Sequence, residues 1–200
     1  MTTPDSFLRD LAVVLVTAGA TTLLVPFVQD AAEAAAAVAA TRYPPQGVRG
    51  MAGMSRAAHF GTQPDYFGTA NRRMSVIVQI ETATALERLE AIAAVDGVDA
   101  LFMGPADLSA SMGLTGKITH PKVMAAMADA ARRCQALGKP LGTIGVTPEV
   151  VTQYRAMGYG FLAVDSDIGL FVQAAQRAVQ ALRGRDGDHV HDLSGGTHTV

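Results

Sequence analysis

The stretch SVIVQIETATALERLEAIAAVDGVDALFMG, residues 75–104, reads as a strand, a helix and a second strand. Val76, Ile77, Val78 and Ile80 form a short run rich in β-branched residues, and residues 100–104 form a short apolar one, with none of the alternation that marks a solvated sheet face. Between them Leu86, Leu89 and Ile92 set the inward stripe of a helix over 83–95, and Asp96-Gly97 supplies the turn. Such a unit makes parallel strands covered by helices.

The same pattern extends in both directions. Towards the N-terminus the spacing predicts a helix over 6–18, with Leu8, Leu11, Ala12 and Leu15 on one face and Gly19 as its left-handed stop. A strand over 21–28 and a helix over 31–40, opened by Asp30 and Glu33, follow. Towards the C-terminus a helix over 121–137 carries Val123, Met127, Ala130 and Cys134 in one stripe. Then come a strand over 141–145, a short helix begun by Thr147-Pro148, a strand over 161–164 and a helix over 167–182. Residues 43–74 are too densely broken by proline and glycine for a regular element of any length, and a stretch this long is expected to be a functional loop. Five parallel strands suit either a doubly wound sheet or part of an eight-stranded barrel. A nucleotide-binding version of the first loses its main support, because residues 25–30 hold no glycine.

Composition narrows the function classes. In 200 residues, 49% are hydrophobic and 17% charged, which excludes disorder and collagen-like structure. The net charge is −2 and the cationic residues are scattered, so there is no footprint for nucleic acid or an acidic membrane surface, and a small-molecule partner is expected. Cys134 stands alone, without a disulfide partner or a thiolate metal motif, which suits a reducing cytoplasm. The apolar run Leu11 to Val16 is far short of the ~20 residues that span a bilayer. Residues 1–183 are expected to form the folded domain and 184–200 a disordered tail, whose His189 and His191 read as solvated rather than metal-binding.

Ligands collect at the carboxyl ends of parallel strands, and two such ends carry an acid. Glu81 closes one strand; Asp107 follows the next, within Gly104-Pro105-Ala106-Asp107-Leu108-Ser109. One strand-helix repeat separates them, so they are expected side by side on one rim. Oxygen ligands of this kind suit Mg²⁺ or Mn²⁺. They equally suit a general acid/base pair, or a helix cap and a satisfied turn. Gly104-Pro105 lets backbone approach a ligand, and the Ala106 and Asp107 amides are placed to meet an anion at a helix start. Gln79 points to the same side as Glu81, to orient a ligand or to be a satisfied core amide. Arg49 is expected either to enter this site from the long loop or to form a structural salt bridge. His59 and His120 read as surface or capping residues.

Four segments in register now resemble one family: residues 24–29 (LVPFVQ), 42–50 (RYPPQGVRG), 78–82 (VQIET) and 102–109 (FMGPADLS). Together they are similar to the class II pyruvate aldolases of the HpcH/HpaI aldolase family, over residues 6–182. The resemblance implies a partial TIM (β/α)8 barrel and reversible cleavage of 4-hydroxy-2-oxo acids to pyruvate and an aldehyde. It implies a divalent metal, Mg²⁺, Mn²⁺ or Co²⁺, held by Glu81 and Asp107. Gln79 becomes a near-site hydrogen-bonding residue, and Pro105, Ala106 and Asp107 the segment that binds pyruvate, through the Ala106 and Asp107 amides. No Schiff-base lysine is needed, and Lys117, Lys122 and Lys139 all lie away from strand ends.

The chain also departs from the family pattern. Members usually begin with three further strand-helix units carrying an acid/base histidine and an arginine that polarises the keto acid, and neither motif occurs here. Three units of roughly 25 residues would bring the chain to the ~250 of a full barrel. A homo-oligomer, or a complementing chain that supplies those units, is therefore expected, with a non-catalytic remnant as the alternative.

Overall fold

The computed structural model describes residues 4–145 and 147–189. Its elements in chain order are α1 (Pro4–Thr17), β1 (Thr22–Val25), α2 (Ala31–Thr41), α3 (Tyr66–Ala70), β2 (Ser75–Ile80), α4 (Ala83–Glu87), α5 (Leu89–Ala93) and β3 (Val98–Met103). These are followed by α6 (Pro105–Ser111), α7 (Pro121–Ala136), β4 (Leu141–Ile144), α8 (Pro148–Met157), β5 (Phe161–Ala163) and α9 (Asp167–His189). The five strands lie in sequence order and pair in parallel throughout, as an open part of a barrel wall rather than a doubly wound sheet with a reversal of strand order.

One face of the sheet packs against the helices. Val76, Val78 and Ile80 of β2 and Leu101 and Met103 of β3 are sealed there with Leu89 and Ile92 of α5 and Val123, Met127 and Cys134 of α7, all essentially inaccessible. Burial of this apolar surface is the main force holding the layers together. The opposite face carries Gln79, Phe102, Gly142 and Phe161 in one register row, and the Phe161 ring lies over Gly142, where a β-carbon would come within 2.2 Å of it. On that face Leu24 is 44% exposed, because the sheet stops at β1.

Several elements differ instructively from expectation. β1 is four residues long, because Pro26 offers no N–H to the ladder and Phe27 turns left-handed at φ 59°. The expected helix over 83–95 breaks at Arg88 into α4 and α5. Its inward residues Leu86, Leu89 and Ile92 repeat every three positions, and a straight α-helix would rotate them off one line; the tightened turn at Arg88, whose N–H reaches the Ala85 carbonyl, takes up the drift. Of the face expected for α1, Ala12 is buried together with Val16, whereas Leu11 and Leu15 are each 43% exposed; Leu8 lies outside the described side chains. The last helix runs to His189; residues 190–200, His191 included, lie outside the described residues.

The long loop leaves the carboxyl end of α2 and returns to the start of β2, so it crosses the amino ends of the strands, away from Glu81 and Asp107. It is anchored there by Asn71, which accepts from the Tyr43 N–H at 2.8 Å and donates to the Tyr43 carbonyl at 3.0 Å. Gly47 fits because a β-carbon would lie 2.3 Å from the Ala39 carbonyl oxygen.

Candidate active site at the carboxyl rim

β2 delivers Glu81 one residue beyond its last paired position, and β3 delivers Gly104 at the same level, its N–H donating to the Ile80 carbonyl at 3.2 Å. α6 begins immediately, with Pro105 at its first position and Asp107 in its first turn. This sets Glu81 and Asp107 on the same rim, with Asp107 near enough to act on the Glu81 carboxyl.

Glu81 is only 5% exposed. Burial, reinforced by the neighbouring Asp107 carboxyl, pushes its carboxyl up to about 7, against the opposing pull of the Phe27 N–H, which donates to Oε1 at 3.3 Å. Gly104 makes the packing possible: a β-carbon there would lie 2.7 Å from Glu81 Cγ. Two carboxylates that repel one another when both ionised form a donor set that a hard divalent cation relieves, so the residues present fit a Mg²⁺- or Mn²⁺-type ion. Among the described residues no cluster of three or more His, Cys, Asp or Glu accompanies the pair, so a cation here would complete its shell with substrate or water.

The amides of Ala106 and Asp107 precede the first intrahelical bond of α6, which runs from the Leu108 N–H to the Gly104 carbonyl, and Gly104 has no side chain to cap them. They are the free donors of a helix start. Pro105, which lacks an N–H, is buried against them. Gln79 is half-buried on the interior face, two residues before Glu81.

The other expected residues lie elsewhere. Arg49 does not enter the rim, and among the described residues it forms no salt bridge. It is 2% exposed, donates to the Tyr66 hydroxyl at 3.0 Å and stacks 4.3 Å from the centre of the Tyr43 ring. His120 caps α7, its Nδ1 accepting from the Lys122 N–H at 3.2 Å, and His59 is exposed in the long loop.

Residue-level reading missed the buttress between β1 and β2. Gln29 accepts from the Thr82 hydroxyl at 2.7 Å and donates to the Phe27 carbonyl at 3.1 Å, which holds Phe27 where its N–H meets Glu81. Thr82 caps α4 through the Ala85 N–H. The Thr82 cap was legible from its position before a helix, but nothing in a phenylalanine signals a left-handed backbone.

A profile of the HpcH/HpaI aldolase/citrate lyase family matches residues 2–174. The chain belongs to that family. Among curated members it is 50% identical over 167 residues to the 2-dehydro-3,6-dideoxy-6-sulfogluconate aldolase of Pseudomonas putida, covering 84% of this chain and 66% of the relative. It is 48% identical over 158 residues to a pyruvate aldolase of Rhizobium etli, covering 79% and 62%. Among solved structures, an HpcH/HpaI aldolase/citrate lyase family protein from Burkholderia cenocepacia J2315 superposes with a TM-score of 0.81 at 42% identity, over 88% of this chain and 70% of that one. The chain thus spans just under two thirds of the length of these two curated HpcH/HpaI relatives. Among the described residues no helix is long and apolar enough to cross a membrane.

Proposed function

We propose that this chain carries the cation- and oxo-acid-binding part of a class II pyruvate aldolase site, for cleavage of 4-hydroxy-2-oxo acids to pyruvate and an aldehyde. The observation that carries the reading is the buried Glu81 carboxyl beside Asp107, next to two free amide donors at the start of α6. The names of the curated relatives, a pyruvate aldolase and an aldolase of an oxo sugar acid, support the reaction class.

Each residue has a definable part. Glu81 and Asp107 would hold a divalent cation, Mg²⁺, Mn²⁺ or Co²⁺, whose Lewis acidity supplies stabilisation for the negative charge that carbon–carbon cleavage leaves on pyruvate. The Ala106 and Asp107 amides orient the substrate carboxylate, with Pro105 as a rigid buried wall, and Gln79 offers a hydrogen bond from the interior face. Phe102 and Phe161, whose ring centres lie 6.0 Å apart, give that face an apolar floor. The Phe27 N–H and the Gln29 bridge fix the rotamer of Glu81, so that the donor set is built before ligand arrives.

The unpaired edges of β1 and β5 and the exposed apolar residues of α9, among them Ile168, Phe171 and Leu182, support a homo-oligomer or a complementing chain as partner. His120 is engaged in capping α7 and His59 sits in the long loop, which favours a second reading in which this chain binds cation and oxo acid without turnover. A retro-aldol assay with Mg²⁺, Mn²⁺ or Co²⁺ tests both. The expected result is slow pyruvate release that Glu81→Ala abolishes; cation binding with no release favours the second reading, and neither binding nor release refutes both.

A further inference from the structure

A cavity of about 510 Å³ lies at the opposite end of the sheet, where Thr21 leads into β1 and Met74 into β2. Six intervening strand residues place it about 20 Å from Glu81. Its wall is made by the end of α1 and by the long loop, and it brings together Arg49, Arg56, His59, Gln63, Tyr66 and Arg73. The lining contains three guanidinium groups and an imidazole, and no carboxylate.

The charge is uncompensated within the fold. Among the described residues, none of these three arginines has an acidic partner within 4.0 Å, whereas Arg42, Arg88, Arg132 and Arg133 all do. Arg49 is the sharpest case, because it is almost wholly buried and its Nε–H has no hydrogen-bond partner. Its Nη2 is satisfied by the Tyr66 hydroxyl and makes a longer 3.5 Å contact with the Val16 carbonyl, at the negative end of the α1 dipole. That end carries about half a charge, too little to balance a buried guanidinium together with its two neighbours. A buried cation with an idle donor is costly unless something satisfies it. A guanidinium presents its donors as a fork that matches the oxygens of phosphate and carboxylate groups.

We infer that this cavity is a second ligand site, remote from the rim, for a small molecule bearing a phosphate or carboxylate group. Arg49 forms its fixed floor, locked by the Tyr43 ring and the Tyr66 hydroxyl. Arg56 and Arg73 are exposed at its mouth and close on the ligand's charge. The volume exceeds what a bare oxyanion fills and lies within the range of small-metabolite pockets.

The test is thermal unfolding of the full chain titrated with inorganic phosphate and, separately, with malonate, at constant ionic strength held with chloride. The expected result is a saturable rise in midpoint with at least one of the two. A stronger response to phosphate identifies a tetrahedral ligand group and a stronger response to malonate a planar one. Arg56→Gln and Arg73→Gln, both at exposed positions, are each expected to weaken the apparent affinity at least fivefold while leaving the ligand-free midpoint unchanged. Arg132→Gln, on the outer face of α7, leaves the affinity as it is. Absence of a saturable response to either anion, or equal responses in the wild-type chain and both mouth variants, overturns the inference.

Discussion

Glu81→Gln is expected to raise the thermal midpoint of the metal-free chain at pH 8 and to leave it unchanged at pH 4. In the folded chain burial and Asp107 push the Glu81 carboxyl up to about 7, well above its value in an unfolded chain. Between those two values the folded state keeps a proton that the unfolded state has released, so the stability of the fold falls as pH rises towards 7 and stays low above it. The penalty at pH 8 is on the order of 3 kcal/mol, at about 1.4 kcal/mol for each pH unit between the two values. Glutamine keeps an oxygen for the Phe27 N–H and removes the charge, so most of that penalty disappears. For a domain of this size the gain corresponds to roughly 5 °C or more in midpoint. At pH 4, below both values, the wild-type carboxyl is protonated in the fold and largely protonated in the unfolded chain, so the two chains melt together. Saturating Mn²⁺ at pH 8 reverses the order, because it stabilises only the chain that retains the carboxylate. A variant no more stable than wild type at pH 8 would show that the Glu81 carboxyl is not held buried beside Asp107 as described above.

Gly104→Ala is the second large effect. The backbone at Gly104, φ −97° and ψ 92°, is open to any residue, so the restriction is one of space. The added methyl would sit 2.7 Å from Cγ, 3.1 Å from Cδ and 3.2 Å from Oε2 of Glu81. A flexible surface side chain would swing away at little cost, but Glu81 is buried and tethered to the Phe27 N–H, so its carboxyl must shift relative to Asp107. The expected outcome is at least a tenfold loss of Mn²⁺ affinity with a destabilisation of about 1–3 kcal/mol, the range for overpacking a filled site. Gly50→Ala is the matched control, since its added methyl meets nothing within 4 Å. Titration calorimetry and chemical denaturation on the three chains check both parts. Unchanged affinity in Gly104→Ala would mean that the Glu81 carboxyl position does not govern the cation.

The rim pair was legible because it depends on topology alone: an acid after one strand and an acid after the next must meet if the strands are parallel neighbours, as β2 and β3 are. The α7 stripe of Val123, Met127, Ala130 and Cys134 was legible for a similar reason, since periodicity and burial are the same fact seen twice. Arg49 was not, because a loop residue's position depends on which end of the sheet the loop crosses. The helix order fixes that end: the loop joins the end of α2 to the start of β2, so the motif around Arg49 closes the base of the sheet and not its mouth. The support of Glu81 was equally hidden. It rests on a phenylalanine held left-handed at φ 59° by a glutamine 53 positions away in sequence from its threonine partner, and no local pattern encodes either.

The central claim is that Glu81 and Asp107 act as one donor set for one cation, and Mn²⁺ titration followed by electron paramagnetic resonance at pH 8 tests it most directly. The account predicts one bound Mn²⁺ per chain in the wild type, bound more tightly when pyruvate is present, and lost in both Glu81→Gln and Asp107→Asn. Retention of wild-type Mn²⁺ affinity in either variant would contradict it.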